Sequence, residues 1–360
     1  MSFKFPLIAQ QKLMIKPWDW LFGFIPQTEQ DLRKFITKKH LIWTSSARNA
    51  LFMLLKELKK QQTKQLTIAL PAFTCQVIRD AALRANIKII YYDYDVDTNI
   101  EEFQKLITQK PDLLLLCYNF GYLPENISEI ANLCQKHKIT LVEDCAQALG
   151  ATQNNKLAGS FGDYAIYSFG ISKNVGFTGG ILASDKELDL PKQHPEPVNH
   201  IFKKIIESIA SSIILNKHLY SLFAKILHKQ ILEKAKYPNN EFACSLFTKN
   251  IIKNLAEDYK KILKNRQENF KIISGKETEA ACLYYPIFPK NKEQQQEIIK
   301  TAKKQGVELD NLKSFVFLPK TNEDNKRLFP KAWSAAQFHL AIALLRNKKT
   351  IQKIAKVINS

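Results

Sequence analysis

Long apolar runs are missing from this chain of 360 residues. No stretch approaches the roughly 18 uncharged apolar residues of a membrane span, so no transmembrane helix is expected. The opening residues Met1 to Gln10 include Lys4 but no long apolar core ending in small residues, which argues against a secretory signal. The six cysteines, at 75, 117, 134, 145, 244 and 282, form no C-x-x-C pair. Several sit in apolar strand or helix patterns and read as reduced core thiols of a cytoplasmic protein. The seven histidines never fall at H-x-x-x-H or H-E-x-x-H spacing, so nothing supports a metal site. Internal repeats, low-complexity tracts and nucleic-acid-binding motifs are also absent.

What is present is an ordinary globular composition, 45% hydrophobic and 24% charged, long enough for two domains. The formal net charge is +19. Such a surface would attract nucleic acid, an anionic membrane or phosphorylated substrates. It is equally what a composition rich in Lys, Ile and Asn produces, and the charge is spread rather than clustered.

From 66 to 145 the pattern alternates. Strands are predicted at Leu66–Leu70, Lys88–Tyr92, Asp112–Tyr118 and Ile139–Val142, and helices at Gln76–Ala85, Ile100–Ile107 and Asn126–His137, with Pro71–Cys75 read as a turn. This βαβ series predicts a mainly parallel central sheet flanked by helices, the α/β class. Upstream, Ile42 begins a short strand followed by a helix starting near Ser46. Residues 191–245 break the pattern. Ile201, Phe202, Ile205, Ile206, Ile209, Ile213 and Ile214 lie at helical spacing, and a second segment carries Leu219 to Ile231. Such a pair packs on the protein's own core, forms a dimer contact, or lies on an anionic membrane through 198–232. Beyond it come a helix over 246–270, a strand at Ala281–Phe288, a helix at Glu293–Gln305, an extended stretch at Val307–Leu318 and helices at Trp333–Leu345 and Thr350–Ile358. The expected organisation is a large α/β domain over 1–190, the helical insertion 191–245 and a smaller α+β domain over 246–360.

Ligands of parallel sheets bind at the carboxyl ends of the strands. Here those ends carry Asn119-Phe120-Gly121, Glu143 to Gln147, and the turn after Tyr164–Phe169. That turn bears Lys173, between small residues and ahead of Gly179-Gly180. An amine on such a support suits Schiff-base chemistry, although a solvated turn lysine has the same local pattern. Asp144 follows an apolar strand, where a carboxylate either pairs with a cation such as a protonated ring nitrogen or caps the next segment. The helix start at Ser46 offers N–H groups and Arg48 to a phosphate, or is an ordinary Ser cap.

Four stretches in this order resemble one family: Ser46–Leu51, Leu70–Thr74, Val142–Gly150, and Gly159–Asp163 leading to Ser168–Asn174 and Gly179-Gly180. The chain looks like a fold-type I, pyridoxal-phosphate-dependent enzyme of the DegT-type (DnrJ/StrS-like) sugar aminotransferases, from about Ser45 to Asp185 and more weakly from Thr248 onward. The resemblance implies that Lys173 carries pyridoxal 5′-phosphate in a Schiff base. Asp144 would pair with the pyridine nitrogen and Gln147 would lie near the phenolic oxygen. Ser168, with Arg48 and Asn49 at the helix start, would hold the phosphate. It also implies a homodimer and transfer of an amino group from an amino acid, glutamate above all, to a nucleotide-linked keto-sugar. The other readings kept are a same-fold enzyme with another reaction or substrate, and a non-catalytic binding or regulatory homologue. Three positions depart from the family. Cys75 stands where an aromatic often stacks on the cofactor, with Phe73 or Phe120 as candidate replacements. Gly170 stands for a usual histidine. The loop that reaches the partner's phosphate has no counterpart unless Asn239-Asn240 supplies it.

Overall fold

The computed structural model describes residue 16 and residues 18–93, 100–170, 172–214, 242–307, 309 and 315–358. Seven strands make the central sheet: β1 (His40–Thr44), β2 (Thr67–Pro71), β3 (Lys88–Tyr92), β4 (Leu113–Cys117), β5 (Thr140–Asp144), β6 (Tyr164–Ser168) and β7 (Gly180–Ser184). Their spatial order is β1-β7-β6-β5-β4-β2-β3. The strands from β2 to β6 pair in parallel, as the alternation predicts. β7 runs antiparallel to both β6 and β1. Only residues 169–179 separate β6 from β7, less chain than the dozen or so residues a parallel crossover takes.

Successive residues of a strand face opposite sides, and both sides are buried here. Leu113, Leu115 and Cys117 join an apolar cluster with Leu51 and Leu55 of α1 (Ala47–Lys60) and Ile78 of α2 (Gln76–Arg84). Leu114 and Leu116 join another with Phe103 of α3 (Ile100–Ile107) and Ile130 of α4 (Ile127–Lys136).

The insertion contributes α5 (Val198–Ile214), tied at its start by Glu196. The Glu196 carboxylate contacts His200 Nδ1 at 2.9 Å and accepts from Ser245 N and Thr248 Oγ1, both at 3.1 Å. Ile205 packs on the core, whereas Val198, Phe202 and Ile206 are 68, 62 and 63% exposed. The second amphipathic segment, Leu219 to Ile231, and Asn239-Asn240 lie outside the described residues. No described helix is long and apolar enough to cross a membrane.

Three readings of the C-terminal part and its partner strand are corrected. The helix expected over 246–270 is interrupted at Asp258, giving α6 (Leu246–Glu257) and α7 (Tyr259–Ser274). The halves bury different faces. Ile251, Ile252 and Leu255 join the apolar cluster of the central sheet, as does Tyr259, while Ile273 joins one with the C-terminal elements. The helix expected over Trp333–Leu345 is instead a helix at Pro330–Phe338 followed by a strand, Leu340–Ala343, antiparallel to Tyr284–Ile287. All four strand residues are buried, and a fully buried run does not reveal its period. Pro71–Cys75 is more than a turn. Phe73–Cys75 forms a short strand against Phe315–Phe317, the described strand within the extended stretch read at Val307–Leu318.

One buried carboxylate fixes the loop that leads into β6. Glu143 has no exposed surface. Its Oε2 accepts from Tyr118 Oη (2.6 Å) and Gly159 N (2.7 Å), and its Oε1 from Phe161 N (2.8 Å) and Gly162 N (2.5 Å). Gly159 has φ +90°, and a Cβ there would lie 1.9 Å from Tyr167 Oη. Burial pushes the Glu143 carboxyl up, and these four donors oppose it. Glu143→Ala orphans the donors, each worth about 1–3 kcal/mol when buried unpaired, so urea unfolding should show a loss of about 3 kcal/mol or more. Glu143→Gln turns an amide NH2 toward N–H donors and should also destabilise. Exposed Glu297→Gln should stay within about 0.5 kcal/mol.

Candidate active site

A cavity of about 280 Å³ opens at the carboxyl ends of the parallel strands. Asp144 from the end of β5, Ser168 from the end of β6, Lys173 from the β6–β7 connection and Arg48 from the start of α1 all line it. Gln147 and Cys75 complete the sequence-expected residues that it brings together.

The Lys173 connection is a closed turn. Phe169 N–H donates to Gly179 O (3.0 Å), Phe177 N–H to Phe169 O (2.7 Å) and Lys173 N–H to Gly170 O (2.7 Å). The backbone under the amine is thereby fixed while the side chain faces the cavity. A Cβ on Gly170 would meet only Lys173 Cγ at 3.7 Å and Ser168 Oγ at 3.8 Å. Glycine at this position therefore leaves room between the lysine and the serine hydroxyl.

Asp144 and Glu143 are neighbours on β5, so their side chains leave the sheet on opposite faces. Asp144 faces the cavity and accepts from Ala146 N–H at 3.0 Å. Burial pushes its carboxyl up, and the Ala146 N–H and the Lys173 ammonium pull it back. Gln147 is buried, and its Oε1 accepts from Phe120 N–H at 2.5 Å. With the oxygen taken, its NH2 is the donor left for a ligand oxygen. Phe120 holds this contact from a left-handed backbone, φ +62°, stabilised by its ring stacking on Phe315 at 5.4 Å. Burial raises the Cys75 thiol, which keeps it protonated, with the Lys173 charge opposing.

The other end of the cavity is an anion site in form. Ser46 caps α1, its Oγ accepting from Asn49 N–H at 3.2 Å. Ser46, Ala47 and Arg48 line the same cavity as Ser168. Gly180 makes this approach possible, since a Cβ there would sit 2.3 Å from Ala47 N. Gly180 is paired with Ser168 on one side and Thr44 on the other. The helix start and the serine are thus locked to the same rung of the sheet.

Asn49 is not part of the cavity wall. Its N–H is spent on the Ser46 cap, and its Nδ2 reaches Gln193 Oε1 at 3.0 Å. Phe73 and Phe120 are fully buried in a cluster with Phe315 and do not replace the stacking aromatic. The aromatics that line the cavity are Tyr118 and Phe315. Phe315 was invisible to local reasoning because it arrives by strand pairing from far along the chain, directly opposite Cys75. Glu143 had a local signal, a second carboxylate on an apolar strand in alternate register to Asp144.

A lysine, a carboxylate one strand away, an amide donor, and a hydroxyl facing a helix start with an arginine fit the donor set of pyridoxal phosphate. Fold and site define a fold-type I α/β enzyme architecture. Residues 19–192 match the model of the DegT/DnrJ/EryC1/StrS aminotransferase family. Over 156 residues the chain is 31% identical to UDP-N-acetyl-3-dehydro-alpha-D-glucosamine 3-aminotransferase of Acidithiobacillus ferrooxidans, covering 42% of each. It is 31% identical over 170 residues to UDP-4-amino-4,6-dideoxy-N-acetyl-beta-L-altrosamine transaminase of Campylobacter jejuni, covering 46% of this chain and 44% of that one. The matched stretch thus spans less than half the length of these curated relatives. The fold extends further. The putative sugar aminotransferase Spr1654 of Streptococcus pneumoniae, in its PMP-form, superposes with TM-score 0.68 at 16% identity, over 98% of this chain and 99% of that one. Helicobacter pylori PseC superposes with TM-score 0.66 at 15% identity, over 98% and 92%.

The raised Asp144 carboxyl has a thermodynamic consequence. A group that binds its proton more tightly when folded loses stability as pH rises past its ordinary carboxylate value. Asp144→Asn should therefore raise the melting temperature of the ligand-free protein at neutral pH. The gain should vanish at a pH below the ordinary carboxylate range, as scanning calorimetry at both pH values would show.

Proposed function

We propose that this chain is a pyridoxal 5′-phosphate-dependent aminotransferase. It takes an amino group from an amino acid, glutamate above all, and delivers it to a nucleotide-linked keto-sugar for surface polysaccharide or glycolipid synthesis. The observation that carries this reading is one cavity lined by Lys173, Asp144, Ser168 and Arg48 together, with the lysine charge acting on the Asp144 carboxyl. The similarity of residues 19–192 to enzymes named for aminated nucleotide sugars supports the substrate class.

When bound, pyridoxal phosphate supplies an electron sink for charge developing at the amino acid's Cα. The residues divide the remaining work. Asp144, facing the cavity from its strand end, would pair with a positive ring nitrogen and would be kept ionised by it. Gln147 orients the ring through its NH2. Ser168, Arg48 and the α1 start bind the phosphate. Lys173 Nζ would hold the cofactor's aldehyde carbon and would serve as the general base and then acid that moves the proton.

Purified protein mixed with pyridoxal phosphate should show a near-visible absorbance band, and Lys173→Ala should abolish it. Arg48→Ala should weaken cofactor affinity about tenfold or more, the value of a charged hydrogen bond. Amino transfer from labelled glutamate to a keto-sugar nucleotide completes the test, and absence of the band would sink the reading. Loss of water from the sugar instead would favour a second reading, motivated by 26% identity over 172 residues to GDP-4-keto-6-deoxy-D-mannose 3-dehydratase of Escherichia coli. By resemblance, the dehydrating branch lacks the lysine that this chain has at 173.

The same reading makes the protein a cytoplasmic homodimer. Separately from that reading, the exposed row Val198, Phe202, Ile206 suits contact with an anionic membrane surface, the alternatives being packing on the protein's own core or in a dimer. In low salt the protein should then sediment with anionic vesicles, and Phe202→Asp should release it. Indifference to vesicles would end the membrane assignment.

A further inference from the structure

Arg266 lies on α7, 92 residues along the chain from its partner, and is only 2% exposed. Among the described residues no carboxylate pairs with it. Its surroundings are neutral. The Tyr259 ring centroid lies 6.0 Å from the guanidinium carbon, and the hydroxyls of Tyr259 and Tyr284 are held protonated by burial. Its Nε has no hydrogen-bond partner. A buried guanidinium without a counter-charge is costly, so its polar contacts are informative: beside the Tyr259 side chain it has one more.

That further contact is with the residue after the lysine. Arg266 NH1 donates to Asn174 Oδ1 at 2.8 Å, and Asn174 is 1% exposed with its own Nδ2 unpaired. On the other side of the lysine, Tyr284 Oη donates to Ser172 O at 3.4 Å. Both neighbours of Lys173 are therefore gripped by side chains from the C-terminal part of the chain, while Lys173 itself faces the cavity.

We propose that Arg266 and Asn174 are positioning residues that hold the Lys173 amine in line with the carbonyl carbon it must capture, with Tyr284 steadying the preceding peptide. The proposal rests on the aminotransferase reading and adds residues outside the matched stretch 19–192. The charge-assisted hydrogen bond from Arg266 to Asn174, buried away from water, removes freedom from the backbone that carries the amine.

The test separates capture by the amine from occupancy of the cavity. Each protein is incubated with pyridoxal 5′-phosphate, reduced with borohydride, and the label at Lys173 quantified by peptide mass over time. Affinity for pyridoxine 5′-phosphate, which has an alcohol in place of the aldehyde, is measured alongside. Asn174→Ala and Arg266→Leu should each label Lys173 about tenfold more slowly or worse, with pyridoxine phosphate affinity within about threefold of wild type. Asn174→Asp keeps the acceptor and should label within about threefold of wild type. The double variant should be no slower than the slower single one. Labelling of Asn174→Ala at the wild-type rate, an Asn174→Asp rate as low as that of Asn174→Ala, or parallel loss of analogue affinity would each overturn the proposal. If Arg266→Leu does not fold, the Asn174 pair decides. A wild-type protein not labelled at Lys173 would overturn the functional reading and this inference together. A labelled wild type with unaffected variants overturns this inference alone.

Discussion

The shortness of the link between β6 and β7 is the constraint on which the site depends. Residues 169–179 cannot make a helical crossover, so β7 must return antiparallel beside β6. That reversal puts Lys173 at the carboxyl end of β6 on a turn closed by its own backbone bonds. It also sets Gly180 level with Ser168, where the missing Cβ lets α1 begin against the sheet. Amine, hydroxyl and helix start are therefore consequences of one topological choice.

A second economy lies in β5. The two-residue period of a strand sends Glu143 and Asp144 to opposite faces. One carboxylate is surrounded by donors and organises the loop before β6. The other is left underpaired, facing a cavity beside a lysine. The first gives the scaffold its rigidity. The second keeps a raised carboxyl in reserve, a strain on the ligand-free chain that a cationic ligand would relieve.

The legible parts of the sequence were those governed by local period. The βαβ strands and helices lie within a residue or two of their expected limits, and Ile100–Ile107 and Lys88–Tyr92 match them. Lys173, Asp144, Ser168, Gln147, Arg48 and Cys75 meet in one cavity. What local pattern could not carry was contact between distant segments. Phe73–Cys75 became a strand only because Phe315–Phe317 lies against it, and the run 340–343 hid its period by being buried throughout. Asn49, placed at the phosphate by resemblance, lies outside the cavity lining with its N–H on the Ser46 hydroxyl. Arg266 carried no signal at all, since its partner is at Asn174.

The packing of α6 separates two kinds of boundary. The stretch that defines the family ends at 192, yet Ile251, Ile252, Leu255 and Tyr259 fill the same apolar cluster as β4, β6 and β7. Kinship is therefore recorded in one half of the chain, while cooperativity extends across both. A substitution at Ile251, Ile252, Leu255 or Tyr259 would therefore be felt in the packing of the central sheet, outside the stretch in which each of them lies.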